Sequence, residues 1–315
     1  LPYEFDPAAD CPMWREYLQT VQPDAGIHEQ LQMLAGLCLV SNTRYQVVFY
    51  LFGEGGTGKS VFLHVLTKLL GEENVSALPL GRFSSRFGLD ALTTKLANVC
   101  GDAETASERD DLRAAEGVLK DVADGGLIHV EKKNKDGFDD YAIARCIFAG
   151  NSLPNFADRS NGIWDRLRII PFEVVVRNTD GDKKGLKHDI VRAELSGILN
   201  WALAGLAKLR AIGKFDDTPA GAALKDKHRL DCDHARQFFA ECTIQSKEKS
   251  MRTSILYESY RSWAADNGYR ALGAAKFGQA VGRICPGVSK GRHKGDGPTL
   301  WSGLALKLAW SNNRI

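Results

Sequence analysis

The sequence predicts an α/β protein: a parallel sheet whose central strand runs into a glycine-rich turn, with a helical region before it and a small basic module after it. Three observations predict this. First, a continuous apolar run, Val47–Phe52, ends at Gly53 and is followed by a helical pattern, Val61–Leu70, that stops at Gly71. Its length and its β-branched and aromatic content are those of a strand buried on both faces. Second, two more short runs, Leu96–Cys100 and Ile143–Phe148, are separated by a polar helix at about Glu108–Ala123. Strands alternating with helices build parallel sheets. Third, Arg229 to Ile315 holds 14 Lys/Arg against 7 Asp/Glu, although the whole chain carries only +2.

At 315 residues the chain exceeds the roughly 250–300 at which one core stops growing, so two or three domains are expected. Residues 1–45 read as helical, with Trp14, Tyr17, Leu18 and Val21, then Leu31, Leu34, Leu37 and Cys38, at helical spacing. Residues 46–180 form the α/β region, 181–225 a helical stretch (Val191–Leu209) with a linker near Gly213–Gly221, and 226–315 the basic module of helices and a terminal hairpin. Within the α/β region, Leu127–Val130 and Phe138–Tyr141 flank Asn134-Lys135-Asp136-Gly137, a hairpin signal.

Hydrophobic content of 44% and charged content of 25% are those of soluble globular chains. No run approaches the ~18 uninterrupted apolar residues of a membrane span. The start, Leu1-Pro2-Tyr3-Glu4, is not a signal peptide and reads as a cut inside a longer protein. Seven scattered cysteines without Cys-x-x-Cys argue against a disulfide framework or a zinc site and for a reducing, intracellular compartment. The basic module suggests a polyanionic partner; ordinary solvation of a charged surface is the alternative.

Gly53-Glu54-Gly55-Gly56-Thr57-Gly58-Lys59-Ser60 fits Gly-x4-Gly-Lys-Ser/Thr at every fixed position. Such a loop turns successive N–H groups onto phosphate oxygens, and the following helix adds its unpaired donors. Lys59 would reach the β- and γ-phosphates and Ser60 would ligate Mg²⁺. By itself the loop names no function. A guanine-specific reading would need Asn-Lys-x-Asp, which Asn134–Gly137 misses.

Leu96–Cys100 leads to Asp102 and Glu104. Hydrolysis needs one carboxylate for the metal and one for the attacking water, here Asp102 and Glu104 respectively. The alternative is a surface pair capping the next helix. Asn151 ends the Ile143–Phe148 strand and could bond both γ-phosphate and water, or simply serve the turn before Pro154. Arg166, with Arg168 as substitute, could reach a neighbouring subunit's γ-phosphate, or be an ordinary ion-pair partner.

Taken together, Gly53–Ser60, Asp102-Ala103-Glu104, Leu119–Gly125 with Val130–Phe138, and Phe148–Pro154 leading to Trp164–Phe172 resemble one family. It is the superfamily 3 AAA+ DNA helicases of the phage and plasmid primase-helicase type, related to the poxvirus primase-helicase. The likeness covers Leu1 to about Leu209, and more loosely a winged-helix-like tail carrying Leu256, Tyr257, Tyr260, Trp263 and Phe277. The strand before Asp102 departs from the family in being less apolar (Asn98, Gly101), and its acids are separated. The Asp102 metal role rests on that segment.

The resemblance implies an AAA+ P-loop core, an N-terminal collar and a hexameric ring in the host cytoplasm. The ring would hydrolyse ATP with Mg²⁺ between subunits and translocate on single-stranded DNA. It implies catalytic roles for Lys59, Glu104 (Walker B), Asn151 (sensor 1) and Arg166 (arginine finger). It also implies that the hairpin Leu127–Tyr141 enters the ring channel. Lys132, Lys133 and Lys135 at its tip would touch the DNA backbone; as a bare lysine-rich turn they would read as solvated. The basic 289–295 segment would be a duplex-binding wing or a partner surface, with Tyr257, Tyr260 and Trp263 in the core. A non-motor DNA-binding ATP switch is the competing class.

Overall fold

The computed structural model describes residues 1–85, 87–101, 109–132, 136–156, 161–179, 181, 183–292 and 297–307 (of 109–113, the backbone alone). Two compact units divide the chain, Leu1–Asp226 and Lys227–Ile315.

The first unit opens with α1 (Pro12–Val21) and α2 (Ala25–Cys38), then β1 (Val48–Phe52), α3 (Lys59–Leu70), β2 (Val75–Ser76), a short α4 (Ala91–Thr94), β3 (Ala97–Cys100) and α5 (Arg109–Asp124). The hairpin β4 (Leu127–Val130) and β5 (Phe138–Tyr141) follows. Next come β6 (Arg145–Gly150), α6 (Gly162–Arg166), β7 (Leu167–Pro171), the long α7 (Leu186–Ile212) and α8 (Pro219–Cys232). The division between the units falls within α8.

Five parallel strands form the sheet in the order β2-β3-β6-β1-β7. Buried on both faces, β1 is an uninterrupted apolar run, as parallel strands are, and β6 is one after its first residue, the buried Arg145. Register aligns the strand ends: Phe52 of β1 stands beside Gly150 of β6 and Pro171 of β7. The segments leaving β1, β3, β6 and β7 therefore emerge at one edge. In open α/β sheets that carboxyl edge is where ligands bind.

The polar residue of β3 has a structural explanation. Asn98 is fully buried, and its amide donates to Leu78 O (2.9 Å) while its Oδ1 accepts from Leu78 N–H (2.7 Å) and Ser76 Oγ (2.9 Å). The side chain acts as an extra rung tying β3 to the chain leaving β2. Buried amides are tolerated when satisfied in this way.

α1 and α2 pack onto the rest of the unit through α7. Glu194 of α7 accepts from the Met13 and Trp14 N–H groups, both at 2.9 Å, capping α1 where Cys11 supplies no side-chain cap. A carboxylate there also suits the positive end of the helix. By length and composition α7 could span a membrane. It instead buries Ile190, Ile198, Ala202 and Leu209 in the core shared with α2 and α3.

One expectation is corrected here: the stretch read as a linker, 213–221, is shorter, because α8 starts at Pro219, where a proline suits the first turn. Leu167–Pro171 adds a strand beside β1.

The second unit runs α9 (His234–Cys242), β8 (Thr243–Arg252), α10 (Thr253–Asp266), α11 (Ala274–Ile284), β9 (Ser289–Arg292) and β10 (Thr299–Leu306). Its antiparallel sheet has the order β8-β10-β9, one strand more than the expected hairpin. Tyr260 and Trp263 are buried with Phe238, Phe239 and Phe277, and Tyr257 packs against them while donating to Leu272 O (2.9 Å). These rings are core. Residues 293–295 of the expected wing lie outside the described residues.

Candidate active site at the carboxyl edge of the sheet

The glycine-rich loop joins β1 to α3. At Gly53 the chain passes so close to β7 that an added Cβ would lie 2.0 Å from Phe172 O. Gly58 takes a left-handed conformation (φ +94°), which a side chain would strain, and its carbonyl starts α3 by accepting from Val61 N–H at 2.8 Å. Helix α3 therefore presents its first, unpaired N–H groups to the loop.

Lys59 is buried. Its ammonium donates to the carbonyls of Gly53 and Glu54 (2.7 Å to the latter) and to Thr57 Oγ1 at 3.3 Å. Burial lowers its pKa. An ammonium satisfied only by neutral oxygens, under a desolvation penalty, gains from an anion placed beside it. Ser60 is exposed to the same space.

A cavity of about 470 Å³ lies over the loop, lined by Gly55–Val61 and by Gly101, Gly150, Asn151, Val176 and Arg177. The structure thus brings Gly55, Gly56, Thr57, Gly58, Lys59, Ser60 and Asn151 together. Gly53 and Glu54 do not line it and reach it only through their carbonyl bonds to Lys59. β3 delivers Gly101 to this cavity, but Asp102 and Glu104 lie outside the described residues. A second cavity, about 310 Å³, adjoins the first through Gly58, Ser60, Val61 and Val176. Met13, Tyr17 and Val21 of α1 face Leu186 and Lys187 of α7 across it. Tyr17 donates to Gly58 O at 2.9 Å, fixing α1 to the loop, and its phenol pKa is raised by burial. Lys183 closes onto Glu16 at 2.7 Å.

Arg166 stands apart from this cavity. It forks onto Asp124 at the end of α5, Nε to Oδ1 and Nη2 to Oδ2 at 2.6 Å each, and donates Nη1 to Gly162 O. The Asp124 bonds raise its pKa. Arg168 lies in β7 and bonds the carbonyls of Phe215 (2.7 Å) and Asp165 (2.7 Å). Of the hairpin lysines, Lys132 sits 3.5 Å from Asp90 and 5.8 Å from the centre of the Phe138 ring. Lys133 and Lys135 lie outside the described residues. Among the described residues, no three His, Cys, Asp or Glu side chains gather as a metal cluster, and all seven cysteines are free thiols.

Two functional candidates were not visible in the sequence: Arg177, on the segment after β7, and the α1 wall formed around Tyr17. Nothing in the pattern of Phe172–Arg177 signals that it folds back over the loop.

Comparison with known proteins bears on both units. Residues 51–166, from the end of β1 to Arg166, match a family of unknown function (DUF5906), and residues 230–302 match the "Poxvirus D5 protein-like" family. Helicase-named proteins of Acanthamoeba polyphaga mimivirus and Frog virus 3 are each 22% identical, over 80% and 92% of this chain. Another, of Invertebrate iridescent virus 6, is 24% identical over 53% of it. The chain resembles D5-like viral helicases.

These helicase-named relatives are far longer: the chain spans 28%, 31% and 18% of their respective lengths. The fold is shared with the NrS-1 C-terminal region in its apo form. That likeness has a TM-score of 0.57 at 15% identity, covering 96% of this chain and 78% of the other. A second apo structure of that region gives 0.54 at 16% identity, covering 91% and 66%.

Proposed function

We propose that this chain is the motor portion of a D5-like replication helicase, an AAA+ superfamily 3 ATPase. The observation carrying the reading is the cavity at the carboxyl ends of β1, β3 and β6, in which the loop, Lys59, Ser60 and Asn151 converge. The two adjoining cavities support a nucleoside triphosphate with its nucleoside beside α1 and its phosphates over the loop. Lys59 would exchange its carbonyl partners for phosphate oxygens. The exposed Ser60 hydroxyl suits a hard cation, and Mg²⁺ bound there would neutralise phosphate charge. Glu104 would orient the attacking water and Asn151 would bond to it, with Asp102 as second metal ligand.

Arg166, remote from its own chain's cavity, would act on a neighbour's, in a hexameric ring. The hairpin β4–β5 would carry Lys132, Lys133 and Lys135 to single-stranded DNA. The element order of the second unit, with its three-stranded sheet, supports a winged helix whose wing is the β9–β10 connection.

The test is DNA-stimulated ATPase activity and unwinding of a forked duplex, beside Lys59→Ala. Wild-type turnover with unwinding is expected, and a loss of about 10²–10³-fold in the variant. Turnover without unwinding would favour the non-motor ATP switch. No turnover with or without DNA would sink the ATPase reading.

A further inference from the structure

We propose that Arg177 is a phosphate-binding residue of this site, placing a guanidinium on the terminal phosphates from the same chain that supplies the loop. The proposal rests on the reading of the two cavities as a nucleotide site and adds a residue that no motif assigns.

The backbone after β7 is laid onto the loop by specific bonds. Phe172 N–H donates to Phe52 O at 2.7 Å, continuing the β1–β7 pairing past the end of the sheet. Four residues on, the N–H groups of Val176 (2.9 Å) and Arg177 (3.2 Å) both donate to Gly56 O. The chain then turns, Thr179 N–H donating to Val176 O at 3.1 Å, with Asn178 at φ +63°. This turn presents Arg177 at its first corner.

The side chain lies flat against the loop glycines. A Cβ at Gly56 would fall 2.7 Å from Arg177 Cβ and 3.1 Å from its Nε, and one at Gly55 would fall 3.6 Å from Nη2. The guanidinium thus lines the 470 Å³ cavity with Lys59 and Asn151. It has no carboxylate partner among the described residues, whereas Arg166 and Lys132 each have one. An arginine fork aimed into a cavity floored by N–H donors suits phosphate oxygens, which it can bond in pairs.

The two cavities indicate which phosphates. Gly58, Ser60 and Val61 border both cavities, while Gly55 and Gly56 border only the one over the loop. With the nucleoside beside α1, the proximal phosphate falls near Gly58–Ser60 and the distal ones near Gly55 and Gly56, under Arg177.

Calorimetric titration of the full chain with AMP-PNP, ADP and AMP, in excess Mg²⁺ and without DNA, tests this on wild type, Arg177→Gln and Arg177→Lys. Arg177→Gln keeps the stem that packs on Gly56 and removes the charge. Arg177→Gln is expected to weaken AMP-PNP about tenfold, the low end for a bond to a charged group. It should weaken ADP less and leave AMP unchanged, with Arg177→Lys recovering part of the loss. Unchanged AMP-PNP affinity in Arg177→Gln overturns the proposal. So does an equal loss for all three nucleotides, which would mean a disturbed loop. If wild type binds none of them, the nucleotide reading itself fails.

Discussion

The cavity at the edge of the sheet and the basic side chains Arg166 and Lys132 belong to one compact unit but handle charge in opposite ways. In the cavity, Lys59 bonds only neutral oxygens, and Arg177 has no acidic partner among the described residues. Away from the cavity lining, Arg166 forks onto Asp124 and Lys132 lies beside Asp90. Cations kept away from carboxylates are ready to receive an anion. Cations already paired must exchange one partner for another, and the net gain is smaller. The difference teaches that the proposed phosphate site would draw its cations from a single chain, whereas any role of Arg166 or Lys132 toward a neighbour or DNA would be a substitution reaction.

The largest expected effect breaks or secures this contrast. Arg166→Ala should lower ATP turnover by 10³-fold or more, the scale of an arginine finger, while leaving AMP-PNP affinity unchanged. Mixing it with Lys59→Ala subunits should restore part of the turnover, since each supplies what the other lacks. Weaker nucleotide binding by Arg166→Ala alone, measured by the same calorimetry, would put Arg166 in its own chain's site and erase the distinction.

A smaller effect concerns how the β3 edge of the sheet is held. Asn98→Ala leaves the Leu78 N–H and C=O without their partner and should cost about 1–3 kcal/mol in denaturant unfolding. Full stability in that variant would show that the β3 edge is held by the strand pairing alone. The smallest effect concerns Lys132. If it leaves Asp90 for a DNA phosphate, Lys132→Ala should reduce the salt dependence of single-strand binding by about one charge and weaken all sequences alike. An unchanged salt slope would leave Lys132 as a partner of Asp90 only.

Much of the cavity was legible because its parts are contiguous. Val47–Phe52, the glycines and the helix that stops at Gly71 are dictated by local sterics and apolar patterning, so strand, loop and helix appear where the sequence predicts them. What escaped depends on tertiary placement. Asn98 read as a weakness of its strand, because its partner Leu78 lies twenty residues away. Arg177 was hidden because a Val-Val-Val-Arg run carries no sign of the loop it will cover. β8 is polar along most of its length, as a strand with little buried side-chain surface can be, and so lacked the expected apolar alternation. The first turn of α8, Pro219–Gly221, fell in the stretch read as linker because its glycine and alanine hold little periodicity, and the helix buries Gly221 alone.

The bond from Tyr17 to Gly58 has a consequence for how this protein can be divided. Trp14, Tyr17 and Val21 share one core with Phe62 and Leu66 of α3, and Glu194 anchors the start of the same helix from α7. Trimming the chain back to the first strand of the sheet would therefore not strip off an appendage. It would take away a wall of the pocket and expose the packed side of the helix behind it, leaving a shortened protein whose failure to hold nucleotide would say nothing about the loop.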